Sequence, residues 1–230
     1  MIDTWNCRLP CGTASEELVV SFDERRERRL LVLPALFDEA NKLRRTTVEL
    51  MRKLDAQGLD SFLPDLPGMN ESLVPLEGLT LSDWRETATL AASQFEATHV
   101  LAIRGGALLT PAGLPAWHYA PQSGPKLLRA MLRAQVISAR EAGADQSMES
   151  LQQTGREHGL ELAGWPIGPK LFSELETAEP FGGSDVEIIE QSRIGGAGIW
   201  LRAEPDENPD QIEALAAIIA GDLSAPERGS

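Results

Sequence analysis

The sequence predicts an α/β fold, a three-layer sandwich on a mostly parallel sheet with a reduced lid. Three observations lead there. Short apolar runs alternate with longer segments of helical periodicity. The chain has 230 residues, enough to bury a sizeable core in one domain spanning 1–230. A strand-like run, Val100–Ile103, breaks at Arg104-Gly105-Gly106 into a turn built of small residues.

The elements follow in order. Glu17–Phe22 and Arg29–Leu33 read as strands on either side of a charged hairpin turn, Asp23–Arg28. Lys42–Gln57 places Val48, Leu50, Met51 and Leu54 on one helical face, and Gly58 supplies a stop. Leu59–Leu63 is the next strand. Ser82 caps a helix from Asp83 to about Gln94, with Glu86 in its first turn. Val100–Ile103 and Pro115–Tyr119 are two further strands. Lys126–Arg140 is a long amphipathic helix, and the polar stretch Gly143–Gly159 reads as mobile or weakly helical. Because the segment from about 124 to 159 interrupts the alternation, it is expected to lie over the sheet edge as a lid. Thr177–Gly183 is a Pro/Gly-rich loop, Gly198–Ala203 a late strand, Pro209–Leu223 an Ala/Ile-rich helix, and 225–230 a disordered tail.

Charge and cysteine usage narrow the function classes. A formal net charge of −14 argues against nucleic acid and anionic membrane as partners. No apolar run approaches the ~20 residues of a membrane span. The start, MIDTWNCRLPCGTASEE, lacks the basic and apolar regions of a secretory signal, so a cytoplasmic location is expected. Cys7 and Cys11 have neither a second cysteine pair nor a nearby histidine. They read as free thiols, and no metal or other cofactor is expected. The run Arg25-Arg26-Glu27-Arg28-Arg29 reads as a solvated turn. Trp84, Trp117, Trp165 and Trp200 read as core residues.

Ala102-Ile103-Arg104-Gly105-Gly106 has the frame of the G-x-S-x-G nucleophile elbow, with an arginine where the serine would stand. A guanidinium stays protonated and cannot attack a carbonyl. An acyl-transfer triad also needs a base, which in hydrolases of this design follows the last strand, and no histidine follows Trp200. Of the three histidines, His99 starts the elbow strand at the far end and His158 lies in the polar stretch. His118, ending a strand near the expected site, is the one catalytic candidate.

Arg104 at such a turn either clamps a carboxylate or phosphate, or pairs internally with Asp38, Glu39 or Asp65. Asn41 either reaches across the same crevice or caps a helix starting at Lys42. Arg104, Glu39, Asn41, Asp65 and Ser72 are therefore the candidate pocket residues.

Four blocks in order resemble a known family. They are Asp38-Glu39-Ala40-Asn41-Lys42-Leu43-Arg44-Arg45, Asp65-Leu66-Pro67-Gly68-Met69-Asn70-Glu71-Ser72, Ile103-Arg104-Gly105-Gly106-Ala107-Leu108 and Gly198-Ile199-Trp200-Leu201-Arg202-Ala203-Glu204-Pro205. Together they resemble the exosortase A system-associated hydrolases of the α/β-hydrolase superfamily, type 2 group, which share an E-E-x-N-K-x-R-R loop, a D-L-x-G-x-x-x-S loop and an arginine at the elbow. Trp117–Gly124 and Leu162-Ala163-Gly164-Trp165 resemble two further stretches of that group. The chain departs from it at Pro34-Ala35-Leu36-Phe37, where a His-Pro pair is usual, and at Met69-Asn70 after Gly68.

The resemblance implies an α/β-hydrolase-like sandwich encoded beside bacterial exopolysaccharide and protein-sorting functions. With the missing triad parts, the expected function is a non-catalytic binding or accessory protein whose partner is another protein or a small anionic ligand. The alternative is an atypical hydrolase or acyl transferase acting on an ester or polysaccharide precursor. A plain assembly subunit with no pocket is a third class.

Overall fold

The computed structural model describes residues 1–8, 14–202 and 206–224. Its main sheet has seven strands: β1 (Ile2–Arg8), β2 (Ala14–Phe22), β3 (Arg29–Leu33), β4 (Asp60–Pro64), β5 (His99–Ile103), β6 (Ala116–Tyr119) and β9 (Val186–Ile189). Their spatial order is β1-β2-β4-β3-β5-β6-β9. β2 runs antiparallel to both β1 and β4, and all later pairings are parallel. A separate two-stranded hairpin is formed by β7 (Leu160–Leu162) and β8 (Trp165–Ile167). The helices are α1 (Asp38–Ala56), α2 (Leu81–Gln94), α3 (Gly124–Glu141), α4 (Met148–His158), α5 (Pro169–Leu175), α6 (Gln191–Ile194) and α7 (Pro209–Ser224).

Strand alternation makes the three layers. On β3, Leu30 and Val32 join a core that includes Leu50 and Leu54 of α1 and Ala216 and Ile219 of α7. Leu31 and Leu33 point the other way, into a core with Trp84 of α2, Leu127 and Leu128 of α3 and Phe172 of α5. β5 divides likewise, Leu101 and Ile103 against Val100 and Ala102. A sheet covered on both faces accounts for the near-continuous apolar runs of these strands.

The chain leaves β3 towards β4 on one side and returns to β5 on the other, so strand order reverses at β3. Crevices for ligands form at such switch points, outside the carboxyl ends of the strands. The loop after β3 and the turn after β5 are therefore neighbours at one edge.

Several local expectations are corrected. The strands flanking the charged turn are not a hairpin, because β4 lies between them. Arg26 of that turn and Arg29, the first residue of β3, fold onto the fully buried Asp60, at 3.0 and 3.1 Å, so the run is not simply solvated. α1 starts at Asp38, not Lys42, so Asn41 lies inside the helix and is no cap. The cap of α2 is Thr80, not Ser82. Thr80 Oγ1 accepts from the Asp83 amide at 3.0 Å while Asp83 returns a bond to the Thr80 amide at 2.8 Å.

The late strand is instead a short 3₁₀ turn, Ile199–Leu201, whose Trp200 packs edge-on against Tyr119; the end of that stretch, Ala203, lies outside the described residues, as do Cys11 and 225–230. The polar stretch contains a regular helix, α4, capped by Ser147 and anchored by Leu151 and by Gly155, where a Cβ would stand 2.3 Å from the Phe172 ring. The polar N-terminus holds β1, whose Trp5 and Cys7 are buried while their neighbours face out.

Candidate functional site

β5 ends at Ile103, and Arg104 turns the chain with φ 54° into a 3₁₀ turn, Arg104–Leu108. A positive φ is costly for a residue with a Cβ, and the surrounding structure must hold it there. Gly106 makes that possible. A Cβ there would stand 2.5 Å from the Pro34 carbonyl oxygen and 2.6 Å from that of Leu33, so only glycine lets the turn lie against the end of β3. The turn shares with a nucleophile elbow the positive φ at its apex and the close approach of a glycine to a neighbouring strand.

The side chain at its apex is fully engaged. Arg104 Nε donates to Glu39 Oε2 at 3.0 Å and Nη2 to Glu39 Oε1 at 3.1 Å, a two-point fork, while Nη1 donates to the Ala120 carbonyl at 2.9 Å. The indole of Trp200 lies against the guanidinium face, 4.1 Å from ring centre to Cζ. Both partners of the ion pair are largely buried, with 13 % and 18 % of their side-chain surface exposed. Of the three acids expected as internal partners, the structure selects Glu39, in the first turn of α1.

A cavity of about 420 Å³ opens above this pair. Its apolar lining includes Leu127, Ala130 and Met131 of α3, and Leu201. Asp38, Glu39, Lys42 and Arg104 supply the charge, and Lys42 is itself paired with Asp38 at 2.9 Å. α3, which also packs Leu127 and Leu128 onto the sheet, thus lines the same cavity as Arg104.

The other candidates lie elsewhere. Asp65, 1 % exposed, is held by Arg44 at 2.5 Å and by the Asn70 side-chain amide at 2.8 Å. Together with Asn41, Arg44, Asn70, Glu71 and Trp165 it lines a second cavity of about 310 Å³. Ser72 donates to the buried Glu17 at 3.0 Å and lines neither cavity. Burial is the main force raising the Glu17 pKa; the Ser15 and Ser72 hydroxyls oppose it, and the nearby Asp65 charge adds to it. His118 is 1 % exposed, its Nε2 lies 2.8 Å from Thr110 Oγ1, and burial brings its pKa down to about 4. It too lines neither of these two cavities.

Tyr119, next to it, is pushed up to about 12 by burial despite the opposing Arg104 charge, and its hydroxyl donates to Gln191 at 2.5 Å. Cys7 is a buried free thiol, 3.7 Å from the Thr87 hydroxyl, with its pKa raised by burial. Among the described residues no group of three or more His, Cys, Asp or Glu side chains is gathered to hold a metal ion. None of the helices among them is long and apolar enough to cross a membrane.

Sequence reasoning missed Arg44, Asn70, Glu17 and the roles of Trp165 and Trp200, which are only half-buried and line the two cavities. For Arg44 a signal existed: it follows Asn41 by three positions, one helical turn on. For the cation–aromatic contact of Trp200 there was none, because it forms between residues almost a hundred positions apart.

Neither a family model nor a curated protein sequence matches the chain. Solved structures do. A putative hydrolase of Agrobacterium vitis is 13% identical with a TM-score of 0.52, over 96% of this chain and 98% of that one. Mouse alpha/beta hydrolase domain-containing protein 10 is 12% identical with a TM-score of 0.53, over 97% and 98%. The esterase Est1E of Butyrivibrio proteoclasticus, solved with ferulic acid bound, is 10% identical with a TM-score of 0.52, over 90% and 94%. At these identities the likeness is one of fold. The chain has the α/β-hydrolase fold.

Proposed function

We propose that this chain is a non-catalytic binding or accessory protein, in which the elbow is kept as architecture and its reactive position is held by an ion-paired arginine. The two-point pairing of Arg104 with Glu39 carries this reading. Arg104 cannot be a nucleophile, and Glu39, bound by both oxygens, is not free to act as a base. His118 is buried, neutral at physiological pH and outside the cavity. A small anionic ligand, or a carboxylate on a partner protein, would enter by displacing Glu39 from the guanidinium fork. The motif resemblance to exosortase A system-associated hydrolases extends the proposal to an accessory role, in the cytoplasm, beside exopolysaccharide and protein-sorting functions.

One feature favours a second reading, an atypical hydrolase or acyl transferase acting on an ester or polysaccharide precursor. The strained backbone at Arg104 is retained beneath an open cavity. A single experiment separates the two. Purified protein is assayed on p-nitrophenyl esters of graded chain length, with His118→Ala alongside. No turnover above background is expected. Turnover by the wild type that His118→Ala abolishes would make His118 a base and the chain an enzyme.

A further inference from the structure

The second cavity has a chemistry of its own. Asn41 and Arg44 reach it from successive turns of α1, Asp65, Asn70 and Glu71 from the loop after β4, and Trp165 from the β7–β8 hairpin. That hairpin turns through Ala163 (φ 52°) and Gly164 (φ 82°), a tight two-residue connection that places Trp165 opposite Leu162. The Trp165 ring is steadied edge-on by Phe37, at 5.9 Å.

The floor of the cavity is fixed and its rim is free. Asp65 is pinned between Arg44 and Asn70. Asn70, with its NH2 group committed to Asp65, is left with a buried Oδ1 that has no partner. Among the described residues, the exposed side chains of Asn41 and Glu71 make no hydrogen bond or ion pair. Asp65, Glu71 and Arg44 together leave one net negative charge, which disfavours an anion. Unlike the apolar-walled cavity over Arg104, this one offers amide donors and acceptors, carboxylate acceptors and a guanidinium around one aromatic ring.

A ligand matching that set is uncharged, carries several hydroxyls that both donate and accept, and has an apolar face. We propose that this cavity binds the ring of a neutral sugar. One face of the ring rests on Trp165, and its hydroxyls bond to Asn41, Glu71 and the Asp65–Arg44–Asn70 cluster. A small rotation of the Asn70 amide would bring its orphaned oxygen a hydroxyl donor. The assignment is independent of whether the elbow is inert.

The test is calorimetric titration of the full chain with glucose, galactose, N-acetylglucosamine and their neutral disaccharides, with glucuronate and adenosine as comparison ligands. Saturable binding of at least one neutral sugar is expected. Trp165→Ala and the paired substitution Asn41→Ala, Glu71→Ala should each weaken it by about tenfold or more. The paired variant changes only exposed side chains, so it carries the test if Trp165→Ala fails to fold. The proposal is overturned if no neutral sugar saturates the protein, if adenosine or glucuronate binds more tightly, or if binding is indifferent to the paired substitution.

Discussion

Arg104 and Glu39 form a two-point ion pair that joins the turn after β5 to the first turn of α1 and closes the apex of the elbow. Arginine suits this place because its planar fork matches both carboxylate oxygens while its face rests on Trp200. The guanidinium thereby ties the turn after β5 to the start of α1.

Removing one partner should therefore cost stability without creating an enzyme. Arg104→Ser leaves the Glu39 charge unpaired in a largely buried site, and a loss of about 3 kcal/mol is expected in urea unfolding. Combining Arg104→Met with Glu39→Leu should cost less than Arg104→Ser, since no charge is stranded. Arg104→Ser should still fail to hydrolyse activated esters, because no histidine lines the cavity and the Glu39 carboxylate is too weak a base to activate a serine hydroxyl. Ester turnover by that variant would show that a base is within reach after all.

The two glycines beside Arg104 should not tolerate a methyl group equally. At Gly106 the added carbon meets fixed backbone, the Pro34 and Leu33 carbonyl oxygens at 2.5 and 2.6 Å. At Gly105 it meets the Leu36 side chain at 3.1 Å, which can give way. Gly106→Ala should thus cost about 3 kcal/mol or abolish soluble expression, and Gly105→Ala about 1 kcal/mol. Equal melting temperatures for the two would contradict the close approach of this turn to β3.

The central sheet was legible because strands buried on both faces read as apolar runs. Arg29–Leu33 and Val100–Ile103 lie within one residue of their observed bounds. The arginine at the turn after β5 was legible too, and its pairing with a nearby acid was one of two uses that residue type and position left open. The choice of Glu39 over Asp38 or Asp65 was not legible, since it depends on where α1 begins, and Phe37 starts that helix through a left-handed φ of 54° that no propensity announces. Gly198–Ala203 alternates like a strand, yet by that point the sheet has ended at β9 and Trp200 is drawn onto Arg104 and Tyr119. The division of the candidates between two cavities is a tertiary fact, set by the β7–β8 hairpin, which gives Ala163 to one and Trp165 to the other.

At the amino-terminal end of β4, Asp60 organises the turn that precedes β3. It is fully buried, and accepts from the backbone amides of Glu24 at 3.0 Å and Arg26 at 2.7 Å as well as from the guanidinium groups of Arg26 and Arg29. Asp60→Ala should cost about 3 kcal/mol or more, because two amides and two guanidinium groups lose their acceptor together. Asp60→Asn, which keeps one acceptor oxygen, should cost less. A change below about 0.5 kcal/mol for the alanine variant in urea unfolding would remove Asp60 from that role.

His118 gives the fold a signed dependence on pH. In the unfolded chain an imidazole takes its proton near its usual 6.5, whereas in the fold burial delays protonation to about 4. Between those values the unfolded chain binds more protons than the native one, so stability falls as pH falls, by roughly 3 kcal/mol at most across the window. Above that window, and below it, this group adds no slope. Glu17 has the opposite sign. Its folded pKa is raised, so the stability it contributes is present below its unfolded value and is lost as pH rises through the folded one. His118→Gln keeps a partner for Thr110 but cannot titrate, so the acid limb of its stability curve should be flatter than that of the wild type. Glu17→Gln should instead raise stability at neutral pH relative to acid pH. Urea unfolding at intervals between about pH 7 and 4 reads both effects. Parallel loss of stability in wild type and His118→Gln across that range would mean that His118 is not held neutral in the core.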